Sequence, residues 1–555
     1  MNWKNSYDYW MNSEALDKEL KEELLNITDE DELSDRFYRE LEFGTAGLRG
    51  VIGAGSNRMN IHTVDRATRG FAEHLLTKSA SPACAIGYDS RIKSDVFAKV
   101  AAAALAAKGV KVWLYQELIP TPMLSFAVRY LHCDGGIVIT ASHNPAKYNG
   151  YKAYGSDGCQ LDIEESENVM HLIEKEEMIA AELPSFDKLL AEGKICYIGT
   201  NLTDAYYDMV ASLSLCPPQV ETKVVYSPLN GTGNKPVRTI LDRIGNIDVT
   251  VVPEQELPDG NFPTCPYPNP EIEEAMRLSA KLAKEIGADF CLATDPDSDR
   301  VGAGVVTDDG VRLISGNEMG VMLFDYVCRM RTQNGTMPKN PTAIKTVVTT
   351  GMTARVAEKY GVELCDLLTG FKFIGGKIGE WEAKGEENRF IFGFEESYGY
   401  LSGTAVRDKD AVNASMLICE MAAYYKSQGK NLLQALESLY EEYGYYRSEL
   451  VNMAFEGASG MEKMTAIMNG IRENTPTEFA GIAVEKFIDY KFDETGLPVS
   501  NMLRFLLADK SEIVVRPSGT EPKLKLYVNA YAETEDECRK TAAKLAESCK
   551  KLTEI

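Results

Sequence analysis

CAIGYDSRIKSDVFAKVAAAALAAKGVKVWLY, residues 84–115, decides the fold class. Cys84–Asp89 reads as a short apolar strand, Asp95–Gly109 as an amphipathic helix ending at a glycine, and Val110–Tyr115 as a second strand. Strand, crossover helix and strand in that order make a βαβ unit, whose two strands run parallel. The alternation recurs downstream. Ala275, Leu278, Leu282 and Ile286 fall on one helical face, Gly287 supplies the stop, and Phe290–Thr294 follows as a strand. Further on come a strand over Lys345–Thr350, a helix to Tyr360, and strands over Val362–Leu368 and Arg389–Glu395. No fixed-period repeat is visible, so the chain is not a solenoid.

The two ends read differently. Residues 13–42 are predicted as acidic helix, with Thr28 and Asp31 placed for a capping-box-like start. The last hundred residues hold the strand-like run EIVVRPSGTEPKLKLYVNAY (512–531) and one amphipathic helix from Glu535, which is α+β in character. At 555 residues the chain has room for about four domains. The expectation is three α/β domains with mixed, largely parallel sheets and a smaller C-terminal α+β domain around a central cleft. Boundaries are placed at 1–212, 213–325, 326–445 and 446–555.

Composition narrows the function. Apolar residues at 44% and charged residues at 26% are near the globular average, which excludes disordered, collagenous and disulfide-scaffold classes. The 59 Lys and Arg against 83 Asp and Glu give a net charge of −24, a field that repels nucleic acid and anionic membranes. An anionic small substrate then requires basic residues to converge locally. The start, MNWKNSYDYWMNSEALDKEL, has neither a basic nor an apolar leader region, and no stretch is apolar enough to span a membrane, so a cytoplasmic location is expected. Twelve cysteines stand singly with no CxxC pair, as buried thiols of a reducing compartment do, and no zinc site is expected.

Four apolar runs end in polar loops, and ligands of open α/β sheets bind beyond the carboxyl ends of strands. GGIVIT leads into ASHNPAKYNGYK, where Ser142, His143 and Asn144 precede Pro145. That triplet reads either as a helix cap or Asx-type turn, or as an exposed hydroxyl nucleophile. Lys147 and Lys152 favour an anion, hence phosphoryl over acyl chemistry. DFCLAT leads into DPDSDR, where Asp295, Asp297 and Asp299 alternate and offer an oxygen-only set suited to Mg²⁺ or Ca²⁺. Arg300 and Val306 stand where an EF-hand needs glycine and glutamate. DSDRV also fits the D-x-D-x-V pattern of haloacid-dehalogenase-type phosphotransferases, with Asp297 as the nucleophile. RFIFGF leads into EESYGY, with Glu395, Glu396 and Ser397 able to accept sugar hydroxyls or to form an exposed acidic turn. EIVV leads into RPSGTEPKLK, where Arg516, Ser518, Gly519 and Thr520 suit a phosphate and Lys523 and Lys525 share one strand face. FGTAGLRG adds Arg49 among glycines without a Walker lysine pattern. Together these loops supply a nucleophile, a hard-cation site, hydroxyl acceptors and a phosphate clamp, as phosphoryl transfer on a sugar phosphate requires.

The motifs FGTAGLRG, TASHNPAKYNGYK, TDPDSDR, TGFKFIGG, GFEESYGY and RPSGTEPKLKLY, in that order over nearly the whole chain, resemble those of the α-D-phosphohexomutases, and among them the longer phosphoglucomutase/phosphomannomutase type. The resemblance implies four domains around a central cleft, the first three sharing an αβα topology. It implies a phosphoserine at Ser142, with Mg²⁺ held by the phosphoserine and Asp295, Asp297 and Asp299. Glu395 and Ser397 would hold sugar hydroxyls, and Arg516, Ser518, Gly519 and Thr520 the non-reacting phosphate. Arg49, His143, Lys152, Arg300 and Lys372 would line the reaction centre, Lys152 and Lys372 moving protons.

The implied reaction interconverts α-D-glucose 1-phosphate and glucose 6-phosphate through glucose 1,6-bisphosphate, which also activates the enzyme. GFEESYGY stands where shorter phosphomannomutase/phosphoglucomutase enzymes carry GEMSGH and phosphoglucosamine mutases GEQSGH. Mannose and pentose phosphates therefore stay open as substrates. A Mg-dependent sugar-phosphate phosphatase would use the same clamp and cation. Small-molecule sugar phosphates are the expected partners, with no nucleic acid and no membrane, and both a monomer and a dimer are compatible.

Overall fold

Six strands form the first sheet: β1 (Gly47–Val51), β2 (Ala83–Tyr88), β3 (Lys111–Leu114), β4 (Gly135–Ile139), β5 (Tyr148–Gly155) and β6 (Ile195–Tyr197), in the order β1-β5-β4-β2-β3-β6. β2 pairs in parallel with both β3 and β4, so the βαβ unit of residues 84–115 forms as predicted. β5 is antiparallel to β4 and to β1, and the hairpin it makes with β4 carries the Ser142 loop. Gly47 makes the β1–β5 approach possible. Its φ is +149°, and a Cβ there would lie 1.8 Å from the Tyr151 carbonyl oxygen.

The crossover helix, Ser94–Ala107, departs from the expected amphipathic pattern. Ala101, Ala102, Ala103, Ala104, Leu105 and Ala106 are all buried, because the helix is covered by the sheet on one side and by helices Ile61–Lys78 and Phe186–Ala191 on others. Alanine suits this place: it has the best helix propensity and is small enough for close approach on every side. Phe71, Phe97, Ile86 and Ile137 complete the core, each fully buried side chain contributing about 1.5–3 kcal/mol relative to exposure.

The acidic N-terminal region forms three short helices, α1 (Trp3–Asn12), α2 (Lys18–Leu25) and α3 (Glu30–Phe37). Their caps correct the sequence reading. Asp17 caps α2 through the amides of Glu19 and Leu20, and Asp29, not Thr28, caps α3 through the amide of Asp31. Trp10, Leu20, Leu24 and Phe37 turn inward to form a small core with Ala54 and Ile179.

The second sheet, β7 (Thr222–Ser227), β8 (Ile247–Val251), β9 (Phe290–Thr294), β10 (Val301–Thr307) and β11 (Gly310–Ile314), has the order β11-β10-β9-β7-β8. β7 is parallel to β8 and β9, while β10 is antiparallel to β9 and β11. The helix Glu273–Ile286 stops at Gly287, as predicted, with φ +66°. Its buried face, however, is Ala275, Met276, Ser279 and Ala283, and Ile286 is 43% exposed. Small side chains set the closest approach, which leaves Leu278 and Leu282 packed at the flank.

The structure, a computed structural model, describes residues 3–44, 47–308, 310–455, 460–518 and 523–553. These fall into two units. The first comprises Met1–Ile314, Ile374–Asn388 and Tyr398–Ser427, and the second Ser315–Phe373, Arg389–Ser397 and Gln428–Ile555. In the second unit β12 (Thr342–Thr346) lies parallel to both β13 (Glu363–Leu367) and β14 (Phe390–Glu395). β12 ends four residues earlier than the sequence suggests. The Thr349 amide turns back to the Thr346 carbonyl, and the Lys345 ammonium binds the carbonyls of Thr346 and Thr349.

The second unit also holds an antiparallel sheet of strands Tyr445–Ala454, Glu478–Phe479, Ile482–Asp489, Leu503–Leu507, Glu512–Pro517 and Lys523–Ala532, with the helix Glu535–Lys550 packed on it. The α+β expectation for this region holds. Among the described residues no helix is long and apolar enough to cross a membrane.

Candidate active site

Ser142 sits in the β4–β5 hairpin with φ +53°, a left-handed conformation that non-glycine residues seldom adopt. Its amide donates to Thr140 Oγ1 at 2.8 Å. The hydroxyl is buried, donates to Asp295 Oδ2 at 2.9 Å and lies 3.1 Å from His143 Nδ1. The simple turn reading of Ser-His-Asn does not account for a side chain aimed at a carboxylate 153 residues away.

Asp295 follows β9 directly, and the DPDSDR loop bends back through Ser298, whose φ is +51°. Asp295, Asp297 and Asp299 are all buried, and one oxygen from each lies within 4.8 Å of the others, as the alternating spacing predicted. Protein donors take the remaining oxygens. Asp295 Oδ1 accepts from the amides of Asp299 and Arg300. Asp297 Oδ2 accepts from Thr121 Oγ1 at 2.9 Å and Lys152 Nζ at 2.8 Å. Asp299 Oδ2 faces Lys152 at 3.3 Å and Lys409 at 3.2 Å. Asp297 Oδ1 and Asp299 Oδ1 are left buried without a hydrogen-bond partner. Buried carboxylate oxygens are costly to leave unpaired. Two such oxygens beside Asp295 Oδ2 fit a hard divalent cation.

The charges within this centre push its groups apart. Burial, reinforced by Asp297 and Asp299, raises the Asp295 carboxyl well above the ordinary range. Burial acts on Asp297 in the same sense, yet Lys152 and the bond from Thr121 hold it well below that range. Lys152 is lowered by burial and raised more strongly by Asp297 and Asp299, so it is an ammonium. His143 is pushed down to about 2 by burial and by the Arg300 and Arg49 guanidiniums, and is therefore a neutral imidazole near pH 7. Arg49, on β1 beside Gly150, reaches Asn144 Oδ1 at 3.3 Å, and Arg300 bonds Glu271.

Three contributors to this centre were not singled out in the sequence. Thr121, wholly buried at the start of the helix Thr121–Tyr130, holds Asp297 twice, since its amide also donates to the Asp297 carbonyl. Lys409 bridges Asp299 and Asp408 from the segment before the helix Ala411–Ser427. Arg91, just past β2, donates to four carbonyls of the Ser142 loop. Lys409 and Arg91 left a trace: RDKD at 407–410 and DSR at 89–91 are charged runs placed between apolar elements.

The second unit holds the other residues of the sequence reading. Glu395, at the end of β14, is buried and accepts from the Gly370 amide at 2.8 Å, while Thr346 Oγ1 donates to Glu396 at 3.3 Å. Ser397 follows them in the same loop. Lys372 lies in the first turn of the helix Phe371–Glu382, its ammonium 5.6 Å from the Phe373 ring centre. Arg516 stands opposite Lys525 near the end of Glu512–Pro517, and the Ser518 amide donates to the Lys523 carbonyl at 2.7 Å. Lys523 and Lys525 share the less buried face of their strand, as their spacing predicts. Gly519 and Thr520 lie outside the described residues.

The fold is that of the phosphohexomutases. The protein is similar to a candidate phosphomannomutase from Thermus thermophilus, with a TM-score of 0.70 at 24% identity over 93% of this chain and 100% of the other. It is also similar to the open form of the Paramecium phosphoglucomutase parafusin, with a TM-score of 0.68 at 18% identity over 93% and 95%. A phosphoglucomutase of Staphylococcus epidermidis is 37% identical over 529 residues, 93% of this chain and 95% of that protein.

Profiles of phosphoglucomutase/phosphomannomutase match in four consecutive pieces. They are α/β/α domain I at 40–180, α/β/α domain II at 204–310, α/β/α domain III at 315–443 and the C-terminal domain at 455–548. The chain belongs to the phosphoglucomutase/phosphomannomutase family.

Proposed function

We propose that the protein interconverts α-D-glucose 1-phosphate and glucose 6-phosphate, with Ser142 carrying the phosphoryl group and glucose 1,6-bisphosphate as the intermediate. The observation that carries this reading is the Ser142 hydroxyl, buried in a left-handed hairpin turn and bonded to an aspartate of a three-carboxylate cluster. Glucose is favoured because the 37% identical relative is a phosphoglucomutase and the match runs over 93% of this chain.

Asp295, Asp297 and Asp299 would hold Mg²⁺ together with the phosphoserine, and the cation would neutralise charge on the transferring phosphoryl group. Neutral His143 beside Ser142, with Arg49 and Arg300, would bind the phosphoryl oxygens. In the first half-reaction the bond from Ser142 Oγ to phosphorus breaks as one from the sugar O6 forms. In the second, the 1-phosphoryl group returns to Ser142. Lys152 and Lys372 would move the protons. Glu395 and Ser397 would accept sugar hydroxyls, and Arg516 and Ser518, with Gly519 and Thr520 of the same motif, would bind the phosphate that is not transferred.

The test is conversion of glucose 1-phosphate with Mg²⁺, with and without trace glucose 1,6-bisphosphate, by the wild type and Ser142→Ala. Bisphosphate-stimulated turnover that disappears in the variant supports the reading. Release of inorganic phosphate in place of product would make the protein a phosphatase, and turnover of mannose or pentose phosphates alone would move the substrate.

A further inference from the structure

Arg91 is buried between the Ser142 loop and the Pro258–Pro263 loop of the second sheet's domain. Its Nη1 donates to the carbonyls of Pro145 and Tyr148, both at 3.0 Å, and its Nη2 to the carbonyls of Ser142 and Asn144. Four guanidinium bonds thus fix four carbonyls within the seven residues Ser142–Tyr148. Nε lies 3.3 Å from Asp89 Oδ2, a pair with both side chains fully buried. Asp89 Oδ1 in turn accepts from the Arg91 amide and from Ser94 Oγ. The Thr140 hydroxyl receives the Ser142 amide.

The far side of the guanidinium is closed by the Phe262 ring, with 5.0 Å between the Arg91 Cζ and the ring centre. Gly260 brings that loop into place, since a Cβ there would stand 2.5 Å from the Ile92 amide nitrogen. Ser142 is therefore gripped through its amide by Thr140 and through its carbonyl by Arg91, on either side of the unfavourable φ of +53°. A left-handed non-glycine residue persists only where its surroundings over-determine it.

We propose that Arg91, anchored by Asp89, is the positioning residue of the nucleophile. It holds the Ser142 backbone so that Oγ stays on the line between Asp295 and the incoming phosphoryl group. This rests on Ser142 being the phosphoryl carrier. Lysine cannot replace Arg91, because one ammonium has three donors and no planar fork to span four carbonyls. Misplacing a reacting atom by about 1 Å costs about 100-fold in rate.

The experiment compares wild type, Arg91→Lys, Thr140→Val, Thr140→Ser and Ser142→Ala, reading kcat, KM for glucose 1-phosphate, and transfer of phosphate from labelled glucose 1,6-bisphosphate to the protein. Val112→Ala, in β3 and away from the loop, serves as a control of matched stability. Arg91→Lys is expected to lose about 100-fold in kcat and in labelling rate with KM within about twofold. Thr140→Val should show a smaller loss of the same kind that Thr140→Ser restores. The control should keep its kcat.

A kcat within threefold of wild type in a folded Arg91→Lys, or an equal loss in the control, overturns the proposal. If Arg91→Lys does not fold, the Thr140 pair decides: a Thr140→Val kcat equal to wild type overturns it as well. An active, labelled Ser142→Ala would instead overturn the assignment of Ser142.

Discussion

Thr121→Val replaces the hydroxyl beside Asp297 with a methyl group that is only slightly larger. The lost bond is 2.9 Å long, fully buried and made to a carboxylate oxygen. Such bonds contribute about 1.5–3 kcal/mol. Asp297 Oδ2 keeps its bond from Lys152 at 2.8 Å, and the Thr121 amide still holds the Asp297 carbonyl, so the lower end of that range applies. About 1.5 kcal/mol is close to tenfold in an equilibrium constant.

Thr121 holds Asp297 by the oxygen opposite the unpaired Oδ1, so the loss should appear in cation affinity, where outer partners of ligands act by about 10–100-fold. The assay is glucose 1-phosphate turnover titrated with Mg²⁺. The half-saturating Mg²⁺ concentration should rise about tenfold in Thr121→Val and return in Thr121→Ser, with turnover at saturating Mg²⁺ little changed. A half-saturating concentration within twofold of wild type, in a variant that has lost about 1.5 kcal/mol of stability, would refute the assignment of Asp297 Oδ1 to the cation.

Other outcomes follow from the same residues. Burial and the Arg300 and Arg49 guanidiniums hold the His143 imidazole far below its ordinary value, so it stays neutral between pH 5 and 9. His143→Gln should lower turnover without moving the pH profile, and a displaced acid limb would contradict this. His62 is held at about 4 by burial, packs edge-on against Trp10 and accepts from the Asp17 amide. Its depressed value favours the folded state above the unfolded value near 6.5. That contribution, about 3 kcal/mol, is lost as pH falls from 6.5 towards 4. Hydrogen-exchange protection at α1 to α3, taken relative to the intrinsic amide rate at each pH, should therefore fall over that interval in wild type and not in His62→Phe, and an equal fall in both would contradict it. Asp366→Ala removes the partner of buried Lys345 (3.2 Å) and of Arg504 (3.0 Å) and should cost about 3 kcal/mol in denaturant unfolding. A loss below about 1 kcal/mol would mean that the two cations find other partners.

The alternation of strands and helices was legible because period and punctuation are local: the apolar run at 84–88, Gly109 and Gly287 each act within their own segment. The DPDSDR cluster was legible for the same reason, since one loop carries all three carboxylates. Three other features were settled by distant partners. Alanines of 101–106 are buried on all sides only because two other helices cover them, and β12 stops early where the Lys345 ammonium binds the carbonyls of Thr346, its last residue, and of Thr349 in the turn beyond. Thr121, an ordinary helix-starting threonine by sequence, becomes a holder of Asp297 through a contact 176 residues long. Arg91 and Lys409 leave only charged runs, whose burial no local pattern announces.

The spare oxygens of Asp297 and Asp299 have one more consequence. The three carboxylates are touched by three cations, Lys152, Lys409 and Arg300, whose Nε lies 3.8 Å from Asp299 Oδ1, which leaves little positive charge over for a further anion. A phosphoryl dianion on Ser142 would add charge at an oxygen 2.9 Å from Asp295, and a divalent cation on the three carboxylates would offset it. Cation binding and covalent loading must then favour each other by the same factor. If Ser142 carries the phosphoryl group as proposed, the loaded fraction of molecules would be a gauge of divalent cation as well as of sugar bisphosphate, and scarcity of magnesium would drain the loaded pool rather than only slow each turnover.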